Sequence, residues 1–389
     1  MTGETVAPLS DPALAQTADR DARHAATALS ATLPSDVVLY LLLPMFADDF
    51  GVSLAEAGLL LAANRLVRIV GYGWVARRCA RHGDRLACVL ATLAASCCAL
   101  GYATVSGFWA LLPLRLLWGL SYAALNLVTQ SLATSVVHGA GARSGRSQAI
   151  IALGPLIALP AGALLAHWAG PRSIFFLLTA VSLAGLFAAH RLPRLAHPTQ
   201  LPPRTGPRWP TALDVWSFLE GFTLDGLFII GLTFLGKDLL PGSAVLAAGV
   251  LMALRYGAEM VLSPLGGEMA ERWGAERLLV GLSLATSLAL VGFGAGWLWS
   301  CGMAIVVLRA LQLPLLAPIV AHRHPGPGRV QALAARSVWR DIGAGTGPLV
   351  AGLALPAVPS LWLYGLAALL LGLAALACGR ERPRSAAGR

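Results

Sequence analysis

Long apolar runs separated by short polar segments dominate this chain. A run of about 20 apolar residues is long enough to cross a bilayer as an α-helix. Twelve such runs can be marked, at residues 27–47, 53–75, 86–104, 108–132, 149–168 and 173–190 in the first half, and at 213–236, 244–264, 278–298, 301–320, 331–355 and 359–378 in the second. The pattern predicts an all-α integral membrane protein with twelve transmembrane helices.

One connection between the runs is long and polar. Residues 191–212 are rich in Pro and Arg and separate the first six runs from the last six. We therefore predict an N-terminal six-helix bundle over 25–190, a cytoplasmic linker over 191–212 and a C-terminal six-helix bundle over 213–378. Residues 1–24 are polar and mixed in charge, and we predict a disordered cytoplasmic tail there, with a second tail over 379–389.

The two halves contain related segments. The stretch 64–90 and the stretch 255–281 share one plan, in which an apolar segment with charged residues leads through a short charged loop around a Gly into a second apolar segment. Aligning them places Asn64 on Arg255, Arg68 on Glu259, and Gly83 on Gly274. Duplication of this kind builds many transporters, so we predict two pseudo-symmetric bundles.

Composition and charge agree with a membrane protein. Hydrophobic residues make up 57% of the 389-residue chain and charged residues 12%, whereas a soluble protein carries roughly 25% charged residues. The net charge of +10 does not indicate nucleic-acid binding, because the arginines are mostly spread over short loops between the apolar runs. The six cysteines lack metal-ligand spacing, the eight histidines lack it too, and no phosphate-binding G-x-x-x-x-G-K-[ST] loop is present. We expect no cofactor, no metal and no enzymatic activity.

The loop arginines predict the orientation. Most fall on the side that holds both termini and the central linker: Arg20, Arg23, Arg77, Arg78, Arg81, Arg85, Arg143, Arg146, Arg191, Arg194, Arg204, Arg208, Arg272, Arg277, Arg323, Arg329, Arg380, Arg382, Arg384 and Arg389. The opposite side holds Arg172 and Lys237. Since positive loops stay inside, both termini are predicted to lie in the cytoplasm, with the protein in the cell (inner) membrane.

Several short motifs narrow the class of membrane protein. The loop after the eighth run reads GEMAERWGAER from Gly267, the fourth run contains RLLWG from Arg115, and the tenth echoes it with RALQ from Arg309. The fifth run contains Gly154-Pro155, and the eleventh a fuller G-x-x-x-G-P version beginning at Gly343.

With its twelve runs, its duplication and these motifs, the sequence resembles the major facilitator superfamily over nearly its whole length. The resemblance implies a secondary transporter in which two six-helix bundles rock about a central site. It assigns a gating role to the loop-motif residues Gly267, Glu271, Arg272, Gly274 and Arg277. The first-half copy departs from the motif, with Ala76 and Ala80 where a Gly and an acid belong.

Charged residues inside the apolar runs are the candidate site. Each costs about 2.5–3.5 kcal/mol at mid-bilayer, so it needs a partner, a wet cavity or a function. As proton-coupling residues we predict Asp36, Asp225, Glu220 and Glu259. As substrate-binding residues we predict Arg65, Arg68, Tyr72, Arg115, Tyr122, Asn126, Arg255, Arg309 and Arg340. The alternative is that these charges form structural ion pairs within packed helices.

Helical spacing groups some of these residues. Arg65, Arg68 and Tyr72 share one stripe of the second run at i, i+3 and i+7, and Arg115, Tyr122 and Asn126 share one of the fourth. Polar stripes facing a wet cavity explain this spacing. Interhelical hydrogen bonding by Tyr72, Tyr122 and Asn126 is an equally good interpretation.

The leading functional hypothesis is proton-coupled export, by antiport and alternating access, of a small polar or partly anionic molecule. The alternative is proton-linked uptake of an organic or inorganic anion, since arginine suits carboxylates and phosphates. A non-transporting membrane sensor is a third hypothesis, although the loops and tails are short. The expected partners are the substrate, protons and the lipid bilayer, with the chain acting as a monomer.

Overall fold

The described residues of the first half form six long helices. The computed structural model describes residues 12–193, 209–235, 244–326 and 328–381. The helices are α1 (Pro12–Met45), α2 (Leu54–His82), α3 (Asp84–Thr104), α4 (Phe108–Ala133), α5 (Ala140–Ala169) and α6 (Ser173–His190), with a 3-10 turn at Asp48–Phe50 between α1 and α2.

The second half repeats this arrangement with two interrupted helices. Its elements are α7 (Ala212–Glu220), a π-helical segment (Gly221–Leu227), α8 (Phe228–Leu235), α9 (Ala244–Trp273), α10 (Ala275–Gly294), α11 (Leu298–Gln312), α12 (Leu316–Arg323), α13 (Arg329–Ala354) and α14 (Ser360–Arg380). The segment α7–π–α8 is the seventh span, and α11 and α12 form the tenth. The predicted all-α fold with twelve spans in two six-helix bundles is confirmed. The proposed bundle boundaries at residues 191–212 remain a prediction, because much of the linker lies outside the described residues.

The internal repeat is visible in two one-residue helix connections. Gly83 joins α2 to α3 with φ of 84°, and Gly274 joins α9 to α10 with φ of 86°. These two positions are the ones that the sequence alignment superposes. A positive φ is open to Gly at little steric cost, so each Gly permits an immediate reversal between two spans.

The prediction of a disordered tail over residues 1–24 is wrong from Pro12 onward. Residues 12–24 are the first turns of α1. The segment is rich in Ala, the strongest helix former. It is also anchored, since Asp19 accepts a hydrogen bond from Arg146 of α5 at 2.7 Å. Residues 1–11 lie outside the described part of the chain.

Charged side chains reduce the apolar character of some spans. In the described residues, eight helical segments are long and apolar enough to cross a membrane by length and composition alone: α1, α3, α4, α5, α6, α10, the α11–α12 segment and α14. The spans outside this group include α2, α9 and α13, and each of these carries several ionisable residues near its middle. The polar site must therefore be assembled largely by these helices.

The seventh span packs unusually close to α13. A Cβ on Gly221 would lie 2.3 Å from the Arg340 carbonyl oxygen, and a Cβ on Gly226 would lie 2.6 Å from the Gly347 Cα. The π-helical stretch between these glycines is a local widening of the helix, a feature often found at functional sites. This contact holds Asp225, which lies within the stretch, beside Arg340.

Candidate functional site

Asp225 is the centre of the charged cluster in the second half. Its Oδ1 accepts hydrogen bonds from Arg255 Nη2 at 2.9 Å and Arg309 Nη2 at 2.7 Å. Its Oδ2 accepts one from Arg340 Nη2 at 2.8 Å. The three arginines come from α9, α11 and α13, so one carboxylate ties three spans to the seventh.

Two glutamates complete this cluster. Glu259 accepts hydrogen bonds from Arg255 at 3.2 Å and from Arg309, and Glu220 accepts one from Arg340 at 3.0 Å. Three carboxylates thus face three guanidinium groups. The second-half cluster is electrically balanced, and its predicted residues are all brought together.

The first-half pair of Asp36 and Arg115 is isolated from that cluster. Asp36 Oδ1 accepts hydrogen bonds from Arg115 Nη1 and from Asn64 Nδ2, the latter at 3.0 Å. Arg115 Nε also donates to the Leu60 carbonyl at 3.2 Å. The Arg115 side chain is 0% exposed and that of Asp36 is 9% exposed. This pair has the form of a structural ion pair within packed helices.

Arg68 connects the two bundles. Its Nη2 lies 3.2 Å from Asp341 Oδ1 on α13, and its guanidinium stands over the Tyr122 ring, 4.6 Å from the ring centroid. Among the described residues, this is the one ion pair that joins a helix of α1–α6 to a helix of the second half. The site residues predicted from the sequence do not include Asp341. Its position beside Arg340 in the middle of a span is a feature of the sequence that could have identified it.

The polar stripes of α2 and α4 face each other. Arg68 and Tyr72 are buried, and Arg68 meets Tyr122 of α4. A Cβ on Gly119 would lie 2.6 Å from the Asn64 carbonyl oxygen of α2. The stripes therefore lie largely at a helix–helix interface. Asn126 accepts a hydrogen bond from Gln130 at 3.2 Å.

Arg65 is the unbalanced charge of the site. Its Nη1 is buried and has no hydrogen-bond partner, and its guanidinium carbon stands over the Tyr40 ring, 6.0 Å from the ring centroid. None of the ion pairs formed within the described ranges includes it. The central charges are Arg65, Arg68, Arg115, Arg255, Arg309 and Arg340 against Asp36, Glu220, Asp225, Glu259 and Asp341. These six arginines and five carboxylates leave one positive charge.

Exposure separates the cluster into wet and dry parts. The side chains of Arg255 and Arg340 are 23% and 28% exposed, whereas those of Arg115 and Arg309 are 5% exposed or less. Arg255 and Arg340 therefore border accessible space near mid-membrane. In the described residues, no group of three or more His, Cys, Asp or Glu side chains could hold a metal ion.

The arginine-rich helix ends, predicted to face the cytoplasm, are closed by contacts between the halves. Glu271 Oε1 accepts a hydrogen bond from the Gly141 backbone N–H of α5 at 2.7 Å. A Cβ on Gly267 would lie 2.3 Å from the Gly141 carbonyl oxygen, so α5 and α9 cross with backbones in contact. Of the other loop-motif residues, Gly274 makes the tight turn, and Arg272 and Arg277 are exposed.

Comparison with known proteins decides the family. A family model described as Major Facilitator Superfamily matches residues 25–239, which is more than half of the chain. The chain belongs to the major facilitator superfamily. This major facilitator protein is accordingly a multi-pass membrane transporter and not an enzyme.

Two similar proteins extend this finding. The crystal structure of the human organic anion transporter MFSD10 (TETRAN) superposes with a TM-score of 0.76, covering 93% of this chain and 99% of that one at 16% sequence identity; at that identity the match concerns the fold. A chloramphenicol resistance protein from Streptomyces lividans is 32% identical over 169 residues. That match spans 42% of this chain and 42% of the length of the relative.

Proposed function

We propose that this major facilitator protein moves a small polar or anionic molecule across the membrane in a proton-coupled cycle. The observation that carries the proposal is the positive charge left over at Arg65. Arg65 is partly buried and makes no ion pair within the described residues, and a charge held in a low-dielectric interior without a hydrogen-bonded countercharge is unfavourable. An anionic group on the substrate supplies that countercharge, and arginine presents a fork of donors suited to carboxylates and phosphates.

Protons are the coupling ion of this proposal because the cluster contains buried carboxylates. A carboxylate can exchange an arginine partner for a proton when the helices around it separate. The two bundles lie against each other through the α2–α13 and α5–α9 contacts, and their rocking opens one side of the membrane at a time, which provides the two access states. The closed arginine-rich end in this structure corresponds to one of them.

Export in exchange for protons is the first candidate direction. Two observations support it. Gly154-Pro155 in α5 resembles part of an antiporter motif, and Gly154 packs tightly on α1, where its Cβ would lie 2.0 Å from the Ser30 carbonyl oxygen. The Streptomyces relative is named for resistance to chloramphenicol, a phenotype that export produces.

Uptake together with protons is the second candidate. The arginine excess favours it, since an anion and a proton entering together leave the charge of the cluster unchanged. The similarity to a solved structure described as an organic anion transporter agrees with an anionic substrate in either direction. In both cases we propose a monomer in the cell (inner) membrane with both termini in the cytoplasm, as the loop arginines predict.

A proton-flux assay tests the proposal across several classes of compound. The purified protein is reconstituted into liposomes that contain a pH-sensitive dye, and organic carboxylates, organic phosphates, chloramphenicol and organic cations are added outside in turn. We expect an anionic compound to change the lumenal pH. Alkalinisation identifies exchange for protons, and acidification identifies transport together with protons.

Matched variants identify the site. Arg65→Gln removes the unbalanced charge and should abolish the response to anions. Arg77→Gln, an exposed arginine of the same helix, should leave that response unchanged. A response only to organic cations, or an unchanged response in Arg65→Gln, would refute the assignment.

A further inference from the structure

Asp341 is the least satisfied of the central carboxylates. It has an ion-pair contact at 3.2 Å through Oδ1, to Arg68, and its Oδ2 is buried without any hydrogen-bond partner. Asp225, by comparison, accepts hydrogen bonds from three arginines, and Asp36 accepts from Arg115 and Asn64. Asp341 is therefore the carboxylate that loses least when it takes up a proton.

The Arg68–Asp341 contact also lies where the transport cycle acts. Arg68 is near the middle of α2 and Asp341 near the middle of α13, and these helices belong to different bundles. Any rocking that separates α2 from α13 removes the countercharge of Asp341. A buried carboxylate without a countercharge is neutralised by a proton rather than left ionised.

The charged and titratable groups that face Asp341 come from four elements. They are Arg65, Arg68 and Tyr72 of α2, Tyr122 of α4, Asp225 of the π-helical segment and Arg340 of α13 itself. Asp225 is held by its three arginines, and Arg340 is bonded to Glu220 and Asp225. The two groups that can respond to a change at Asp341 are thus Arg68, which it releases, and Arg65, which faces Asp341 but makes no ion pair within the described residues.

We propose that Asp341 carries the coupled proton, and that its protonation frees Arg68 to join Arg65 in binding a monoanionic organic group. Asp341 and the substrate anion alternate as the countercharge of Arg68. In the step, one proton passes from water to Asp341 Oδ2, and one anion replaces the aspartate on Arg68. This inference rests on the proposed function and deepens it.

The charge of the cluster sets the direction of coupling. The empty cluster has one excess positive charge, and it keeps that charge when a proton and a monoanion are both bound. If the two were exchanged instead, the proton-loaded form would carry two excess charges in the membrane interior, which is costly. Asp341 therefore couples proton and anion in the same direction, and the inference favours the second candidate, uptake with protons.

Infrared difference spectroscopy tests the proton carrier directly. The reconstituted protein is compared between acidic and alkaline buffer, and the carbonyl stretch of a protonated carboxylic acid is followed. In mildly acidic buffer, where exposed carboxyls stay ionised, we expect this band to be smaller in Asp341→Asn than in the wild type and in Asp48→Asn, an exposed aspartate at the α1–α2 connection. A band that persists unchanged in Asp341→Asn overturns the assignment.

The probe for the anion is benzoate, with neutral benzamide as its isostere. Near neutral pH, benzoate should increase the protonated-carboxyl band, because binding of each ligand favours the other by the same factor. Its affinity should rise by up to about tenfold per unit of acidification if one proton binds with each anion. An unchanged or smaller band with benzoate, or an equal effect of benzamide, contradicts the shared site.

A transport assay distinguishes failure of this inference from failure of the proposed function. Asp341→Asn should lose the lumenal acidification that accompanies net uptake while keeping exchange of labelled for unlabelled benzoate, because a permanently neutral side chain mimics the protonated state. Asp341→Glu should restore acidification. If Asp341→Asn does not fold, the Arg68→Gln/Asp341→Asn double variant, which keeps the net charge, serves in its place and should also lack coupled uptake. Wild-type protein that moves no protons with any compound refutes the function, whereas normal coupling in Asp341→Asn refutes only the inference.

Discussion

Replacing Asp36 with Asn removes the countercharge of Arg115, whose side chain is 0% exposed. Loss of one partner of a buried ion pair costs about 3–5 kcal/mol, because the other charge stays buried without compensation. Arg115 keeps its hydrogen bond to the Leu60 carbonyl at 3.2 Å, and an Asn at position 36 can still contact Asn64. We therefore expect the lower end, about 3 kcal/mol, which is roughly a hundredfold change in the ratio of folded to unfolded protein.

The double variant Asp36→Asn/Arg115→Met tests whether the uncompensated charge of Arg115 causes the loss of stability. With both charges gone, the apolar Met fills the space of the arginine stem, and replacement of a buried pair by apolar residues is often neutral or stabilising. We expect the double variant to recover at least half of the stability that Asp36→Asn loses. The coupling between the two positions is then the measured quantity.

Stability can be followed in detergent by the fraction of protein that stays monodisperse on size-exclusion chromatography after heating. The series contains the wild type, both single variants, the double variant and Asp48→Asn as the exposed control. An Asp36→Asn variant as stable as the wild type, or a double variant no better than that single one, would show that the pair is not a structural tie. If Asp36→Asn is stable but loses proton coupling, Asp36 carries the coupled proton, as its place in the first span predicts.

Two further predictions concern the crossing of α5 and α9. Gly145→Ala places a Cβ about 2.4 Å from the Ser263 carbonyl oxygen, so the two helices must separate at a cost of about 1–3 kcal/mol. The rate of amide hydrogen exchange in the first turns of α5 should therefore rise. The control Gly281→Ala, which has open space around its Cβ, should leave that rate unchanged. Glu271→Gln exchanges a charge-assisted hydrogen bond for a neutral one at a helix N-terminus, a loss of about 1 kcal/mol, and the Gly141 amide should exchange roughly five times faster. Glu268→Gln, an exposed acid one turn earlier, should leave that amide unaffected, and equal effects of the two glutamine variants would show that Glu271 is not a latch.

The class and the span count of this protein are readable from its sequence. Apolar runs must become helices in lipid because each backbone N–H and C=O has to be satisfied within its own segment, so twelve runs predict twelve spans. The internal repeat also indicates the two reversals at Gly83 and Gly274. The prediction fails at residues 12–24 because polar composition hides an Ala-rich helix that is anchored to α5 through Asp19.

The partners of the interior charges are decided by the tertiary structure alone. Helical spacing places Arg65 and Arg68 on one stripe but cannot say which carboxylate on another span each one meets. The close approach of the seventh span to α13 and the crossing of α2 with α13 settle this: Asp225 binds three arginines, Arg68 pairs with Asp341, and Arg65 forms no ion pair with any residue that the structure describes. Ion pairs form over a few ångströms between residues that are far apart in sequence. The distance between such residues depends on how the helices pack against one another, and the periodicity of a single helix contains no information about that packing.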